Sequence, residues 1–344
     1  MFRLELLPAS EGDCLILSWG RGDIRYRILI DGGRSSTATA VKAYVAKHQL
    51  GKGAFELFVI THIDRDHIEG AVELLGDDDF RPLIKQVWFN DRADLTYQPR
   101  PGFEEYGALD GERITRLIVD NDIPANTNFA PKPVALVDDT LPFVGLADGL
   151  TITLLSPDLN QLAALAGPWD ETLEAAPEGW EDLGEDESLD VSRLALRQFK
   201  TDDAKPNGSS IAFVASYDNH HVLLTGDSHV RRILTSLDVF KAAHPEIKGF
   251  SLVKASHHGS RGNTSLELVR ALACRRWAIS TNGTQFRHPD RDAIARIISA
   301  SPGPVEIFFN YTTEQTNVWK GMLKGAPAFA PKFGVDGYIA IDIA

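Results

Sequence analysis

Thr61-His62-Ile63-Asp64-Arg65-Asp66-His67-Ile68-Glu69-Gly70 is the stretch on which the reading of this chain turns. It is preceded by an apolar strand-type run, residues 55–61, and it leads into a helical pattern that continues to Leu75. His62, Asp64, Asp66 and His67 fall within six positions. Carboxylates and imidazoles crowded at the end of a buried strand are costly to desolvate unless a cation or a partner compensates them. A turn at this point can direct His62 and Asp64 one way and Asp66 and His67 another, which suits two adjacent metal sites in one cavity. The plain alternative is a solvated loop that caps a helix, with Asp64 or Asp66 at the N-cap.

Working outward, three more segments have the same form, an apolar strand followed by residues able to bind metal or carry protons. Leu223-Leu224-Thr225-Gly226-Asp227 ends in an acid, although Gly-Asp is also a common turn. Leu252-Val253-Lys254-Ala255-Ser256-His257-His258-Gly259-Ser260 ends in paired histidines. Ala278-Ile279-Ser280-Thr281-Asn282-Gly283 is followed by Arg287-His288-Pro289, where a lone histidine before proline can equally be structural. In layered α/β folds, strand ends at one edge gather into a single cleft.

Around these motifs the pattern alternates. Strands are expected at 2–7, 14–19, 24–30, 85–89, 150–155, 210–216, 222–225, 250–255, 276–280, 305–309 and 338–342. Helices are expected at 37–50, 111–120, 229–243, 264–273 and 290–299. This is a layered α/β chain with two sheets rather than one βαβ wrap. Its 344 residues, 43% hydrophobic, allow a sizeable core within a single domain spanning 1–344. Residues 168–205 break the alternation and read as an insertion or long loop. No run is long enough to cross a bilayer, and the first residues read as a strand rather than a signal peptide, so no membrane partner is expected. Two cysteines, Cys14 and Cys274, are too few for a disulfide framework; a reducing cytoplasm fits.

The formal net charge of −13 argues at first against a polyanionic partner. Residues 169–190, however, hold ten acids and no Lys or Arg, so they carry −10 and the rest of the chain −3. With cations on Asp64, Asp66 and Asp227 the remainder is close to neutral.

The ordered set of motifs resembles the metallo-β-lactamase superfamily, and within it the soluble hydrolase domain of competence DNA-uptake proteins of the ComEC type. The similarity runs through Thr61–Gly70, Leu223–Asp227, Lys254–Ser260 and His288-Pro289, over roughly residues 2–310. It implies a four-layer αββα sandwich of two mixed sheets flanked by helices. It also implies that Asp31, in Asp31-Gly32-Gly33, supports the metal loop. Two departures from the superfamily's usual pattern are shared with the competence group. Asp64 stands where the first loop usually has a second histidine, and no histidine occurs near 205–210, where Asn207 is the nearest polar residue. Harder oxygen donors favour Mn²⁺ over Zn²⁺, with Mg²⁺ also accommodated.

The expected chemistry follows. His62, Asp64 and Asp227 hold one divalent cation, with Asn207 in support. Asp66, His67 and one of His257 or His258 hold the second, and the resemblance makes Asp227 the bridge. A water activated between two cations would attack a phosphodiester, with DNA as the substrate. Lys254, Arg261 and Arg287 are the candidate phosphate contacts, and His288 the candidate acid for the leaving oxygen. A hydrolase of a small molecule (nucleotide, lactone or lactam) and a non-catalytic subunit of the same fold are the competing readings. The acidic run, which also contains Trp169, Trp180 and Leu183, suggests a segment over the cleft mouth that a protein or protease partner displaces.

Overall fold

A computed structural model describes residues 1–95, 106–130, 133–166, 189–321 and 327–344. The chain opens with three strands, β1 (Phe2–Leu6), β2 (Leu15–Trp19) and β3 (Tyr26–Ile30), then helix α1 (Thr37–Lys47). Strand β4 (Leu57–Val59), helix α2 (Arg65–Leu75), strand β5 (Val87–Trp88) and helix α3 (Tyr106–Asp120) complete the first half. Next come β6 (Phe143–Gly145), β7 (Thr151–Ser156), α4 (Leu159–Ala166), α5 (Val191–Ala195) and α6 (Lys205–Gly208). Strands β8 (Ala212–Tyr217) and β9 (His220–Leu224) lead to α7 (Val230–Ala243), β10 (Leu252–Lys254) and α8 (Leu266–Leu272). The last elements are β11 (Arg276–Ile279), α9 (Arg291–Ala300), β12 (Val305–Phe309), α10 (Glu314–Asn317), β13 (Phe329–Phe333) and β14 (Ile339–Asp342).

Two mixed sheets result. One has the order β14-β1-β2-β3-β4-β5 and the other β13-β12-β11-β10-β9-β8-β7-β6. The period-2 alternation of each strand explains their packing. Leu15, Leu17 and Trp19 of β2, and Leu57 and Val59 of β4, face the other sheet. There they meet Ile152, Phe213, Val222, Leu224 and Leu252 in one buried cluster. Ile16, Phe58 and Ile60 point the opposite way, under α1, α2 and α3. Leu223, Val253 and Ile279 likewise pack beneath α5, α7, α8 and α9. Helices therefore cover both outer faces, giving the αββα sandwich. No helix among the described residues is long and apolar enough to cross a membrane.

The expected loop over 168–205 is corrected in part. Val191, Leu194 and Ala195 are buried in the core, so within it residues 191–195 form an anchored helix. Its cap is local, because the Asp190 carboxylate accepts from the Arg193 backbone N–H. Residues 167–188, and with them most of the acidic run, lie outside the described residues. Strands β6 and β13, both at sheet edges, went unread in the sequence because their short runs carry too little alternation.

Candidate metal centre

Strand β4 ends at Val59, and the chain turns at Thr61 to Asp64 before α2 begins. Asp64 occupies the N-cap position, yet its carboxylate makes no capping hydrogen bond. Instead Asp64 Oδ2 lies 3.5 Å from His62 Nε2. The capping role that would have made this an ordinary loop is therefore absent.

The protonation pattern of the imidazoles can be read from their outer partners. The Thr61 hydroxyl and backbone N–H both donate to the Asp31 carboxylate, at 2.8 and 2.7 Å. With its only proton committed, Thr61 Oγ1 accepts from His62 Nδ1 at 3.0 Å. His67 Nδ1 donates to Asp31 Oδ2 at 2.8 Å, and His258 Nδ1 donates to the Ser280 carbonyl at 2.9 Å. In all three rings the outer nitrogen holds the proton, so Nε2 is left with a lone pair. Asp31, expected as the support of the loop, stands where it can orient both β4-derived histidines through Thr61 and directly.

These nitrogens converge on one carboxylate. Asp227 Oδ2 lies 3.4 Å from His67 Nε2, 3.8 Å from His62 Nε2, 3.8 Å from His258 Nε2 and 3.9 Å from His257 Nε2. His67 Nε2 and His258 Nε2 are themselves only 3.2 Å apart. Asp66 Oδ2 is 3.1 Å from His258 Nε2 and 3.9 Å from His67 Nε2. His62, His67 and Asp227 form one buried group with donor atoms within 4.8 Å of one another. His62 Nε2 and Asp227 Oδ1 are buried without any hydrogen-bond partner. Converging lone pairs and orphaned donors of this kind fit divalent cations, which replace the missing positive charge.

The electrostatics point the same way. Burial pushes Asp227 up, but His67, His257 and His258 outweigh it and hold the carboxylate well below its usual range. Burial lowers His257 and His258, yet Asp227 leads the carboxylates that raise them to about 10 and about 9. His67 is raised in the same way, chiefly by Asp227 and Asp31 against burial. The carboxylates thus demand positive charge at this point, and protons supply it where no cation does.

The sequence left open which of His257 and His258 binds metal; in the structure both rings face Asp227 Oδ2. Consecutive side chains on a strand would face opposite ways, but both residues adopt left-handed backbone, with φ of 47° and 54°. His258 falls on the Asp66–His67 side. His257 faces Asp227 from another side, where Asp202 Oδ2 lies 3.5 Å from its Nδ1 and Asn263 Oδ1 3.2 Å. Asn207 donates to Asp202 at 2.7 Å and lies 3.3 Å from His257 Nδ1. Its amide thus contacts Asp202 and His257.

Lys254 requires a correction. It shares the inward parity of Leu252 and is completely buried, with Nζ 2.7 Å from Asp13 Oδ2. A sealed ion pair between the sheets cannot reach a substrate phosphate. His288 sits at the edge of the cluster, its ring 5.2 Å from that of His257 and its Nδ1 3.6 Å from Asp290 Oδ2. Asp290 Oδ2 also accepts from the backbone N–H of Arg261, which joins the two loops. Arg261 and Arg287 are exposed. Asp13, Asp202 and Asn263 were missed in the sequence. Gly12-Asp13 reads as a turn, and Asp202 falls in what read as insertion. For Asp13 a signal existed, because it shares the inward parity of Leu15 and Leu17.

No known protein-family profile matches the chain, and no curated protein sequence does. Similar solved structures include the metallo-β-lactamase fold protein YhfI from Bacillus subtilis, at 11% identity over 99% of both chains with a TM-score of 0.41. Another is the short form of human tRNase Z, at 8% identity over 99% of both chains with a TM-score of 0.43. A third is the CmlA β-hydroxylase, at 13% identity over 99% of this chain and 53% of that one, with a TM-score of 0.44.

Proposed function

We propose that this protein is a metal-dependent hydrolase with two divalent cations in the cleft, acting on a phosphodiester of DNA. The observation that carries the hydrolase reading is the convergence of imidazole Nε2 atoms on Asp227 Oδ2, with the outer nitrogens of His62, His67 and His258 already committed. His62, Asp64 and Asp227 would hold one cation, and Asp66, His67 and His258 the other, with Asp227 shared. His257, backed by Asp202, stands beside them. Bound by these residues, the cations would supply Lewis acidity and lower the pKa of a water. The chain's own groups do the rest. Asp31 and Thr61 fix the rings of His67 and His62. His288, next to Asp290 at the cleft edge, would give a proton to a leaving oxygen in this reading. Arg261 and Arg287, exposed on neighbouring loops, are the phosphate contacts in this reading.

The substrate part rests on the motif resemblance to the competence DNA-uptake group and on the near-neutral charge outside the acidic run. Carboxylates at Asp64, Asp66 and Asp227 favour Mn²⁺ or Mg²⁺ over Zn²⁺. The test uses chelator-stripped protein reloaded with Mn²⁺, Mg²⁺ or Zn²⁺ and offered plasmid DNA, bis(p-nitrophenyl) phosphate and a lactone. Mn²⁺-dependent cleavage of both phosphodiesters is expected. Turnover of the lactone alone would replace DNA by a small-molecule substrate. Absence of both turnover and metal uptake would leave a non-catalytic protein.

A further inference from the structure

Asp13 and Lys254 form a buried ion pair that the proposed reaction does not use. Asp13 precedes β2 and Lys254 ends β10, so the two residues come from different sheets and meet between them. Lys254 Nζ donates to Asp13 Oδ2 at 2.7 Å and to the Ala255 carbonyl at 3.0 Å. A buried ion pair seldom adds net stability, because desolvating both charges offsets their attraction; apolar residues of similar volume often do as well or better. Such a pair therefore invites a role beyond cohesion.

The other oxygen indicates that role. Asp13 Oδ1 is buried with no hydrogen-bond partner, and it lies 3.5 Å from His258 Nδ1. The Ser280 carbonyl takes the Nδ1 hydrogen bond at 2.9 Å. The same loop is pinned to the cleft at two more points. The Asp13 backbone N–H donates to the Asp66 carbonyl at 3.2 Å, and the Ser280 hydroxyl donates to the Gly12 carbonyl at 2.8 Å. A Cβ on Gly12 would lie 1.7 Å from the Asp66 carbonyl oxygen, so only glycine permits this approach. Asp13 is thus fixed against both Asp66 and His258.

We propose that Asp13 and Lys254 are the positioning pair for His258, and that they set how tightly the Asp66–His67–His258 half of the cleft holds its cation. The Asp13 carboxylate on the outer side of the ring favours a proton on Nδ1 and makes Nε2 the stronger donor. Lys254 holds Asp13 Oδ2 and offsets its charge. Asp13, His67 and His258 already bring ligand-type atoms within 4.8 Å of one another, and the ion pair to Lys254 commits Asp13 Oδ2 and leaves only Oδ1 toward His258. The inference deepens the two-cation reading above and rests on it.

The test measures metal uptake, not turnover. Asp13→Asn combined with Lys254→Met removes both charges together, so that neither charge is left buried without the other. Mn²⁺ binding to the unaltered and the doubly substituted protein is followed by electron paramagnetic resonance. The unaltered protein should take up two ions with a spin-coupled signal. In the double variant one ion should bind as before and the other about 10–100-fold more weakly, with the coupled signal lost. Thermal unfolding of the metal-free proteins should stay alike, which a merely structural role would not leave so. Equal affinity for both ions would overturn the proposal. Uptake of fewer than two ions by the unaltered protein would instead remove the two-cation reading beneath it. If the double variant does not fold, nitrogen NMR of the unaltered zinc-loaded protein decides. A slowly exchanging proton on His258 Nδ1 is expected, and metal bound through Nδ1 or through Asp13 would overturn the assignment.

Discussion

Asp227 is the residue on which the centre depends, because four imidazole nitrogens lie within 3.9 Å of its Oδ2. Asp227→Ala should lower bound metal from two ions to one or fewer and reduce turnover at least ~100-fold, the scale of losing a preorganised electrostatic group. Elemental analysis and single-turnover rates check this, and full metal content in the variant would show that Asp227 is no bridge. The same carboxylate predicts a pH dependence. His257 and His258 are raised to about 10 and about 9 in the folded, metal-free protein, burial being outweighed chiefly by Asp227. Groups raised on folding stabilise fully below their unfolded value, about 6.5 for histidine, and that stability is lost as pH rises through the folded value. Urea unfolding of metal-free protein should therefore give a free energy that declines between about pH 6.5 and 10, less steeply in Asp227→Asn. A flat profile would refute the charge assignment. Metal affinity should rise over the same window, since cations displace these protons. At this scale the sequence was legible where ligand-type residues cluster behind a strand, as at His62–His67. It misled where a single side chain's direction mattered. Lys254 lies beside the motif, but strand parity turns it inward to Asp13, and Gly12-Asp13 has the appearance of any turn.

Elements place these residues through close backbone contacts. Asp31 can reach His67 because α2 lies directly on the Gly32-Gly33 turn. The Gly32 N–H donates to the His67 carbonyl at 2.7 Å, and the Gly70 N–H to the Gly33 carbonyl at 2.9 Å. A Cβ on Gly70 would stand 2.0 Å from the Gly32 carbonyl oxygen, and one on Gly32 2.1 Å from the Ala71 nitrogen. Both obstacles are backbone, which cannot step aside as a side chain can. Gly70→Ala should therefore cost about 1–3 kcal/mol or more, the range of an overpacked core. It should also weaken metal binding by lifting His67 from Asp31. Denaturant unfolding beside Mn²⁺ titration measures both, and unchanged values in each would show that α2 has room to move. Strands and helices were legible because alternating and 3.6-residue patterns record which face is buried; Leu15-Ile16-Leu17 and Val222-Leu223-Leu224 sort correctly between inner and outer clusters. The paired left-handed residues His257 and His258 left no such record. Their conformation is imposed by the turn after β10 and costs energy that the surrounding structure must hold in place.

At the scale of the whole molecule, the centre joins the two sheets. His62, Asp64, Asp66 and His67 follow β4 of the six-stranded sheet, while Asp227, His257 and His258 follow β9 and β10 of the eight-stranded sheet. The inter-sheet core ends near this edge, where Thr61 donates no sheet hydrogen bond but its carbonyl accepts from the Ile211 N–H across the sandwich at 2.9 Å. In the proposed reading, cations bound by ligands from both sheets would act as cross-links that exist only in the folded state. At a free metal concentration about 100-fold above the dissociation constant, one such site adds about 2.7 kcal/mol. For a chain of 344 residues that corresponds to a rise in Tm of roughly 4 °C. Chelator-treated protein should accordingly melt several degrees below Mn²⁺-loaded protein. The increment should shrink in Asp227→Asn on one sheet and in Asp66→Asn on the other, because either change cuts a cross-link. Differential scanning calorimetry at fixed metal concentration gives the answer. If Asp66→Asn removes the increment and Asp227→Asn leaves it whole, the cations are held by the first sheet alone. The two halves of the sandwich would then be joined by their apolar faces and by polar contacts such as Asp13–Lys254 and Ile211–Thr61, without the cations.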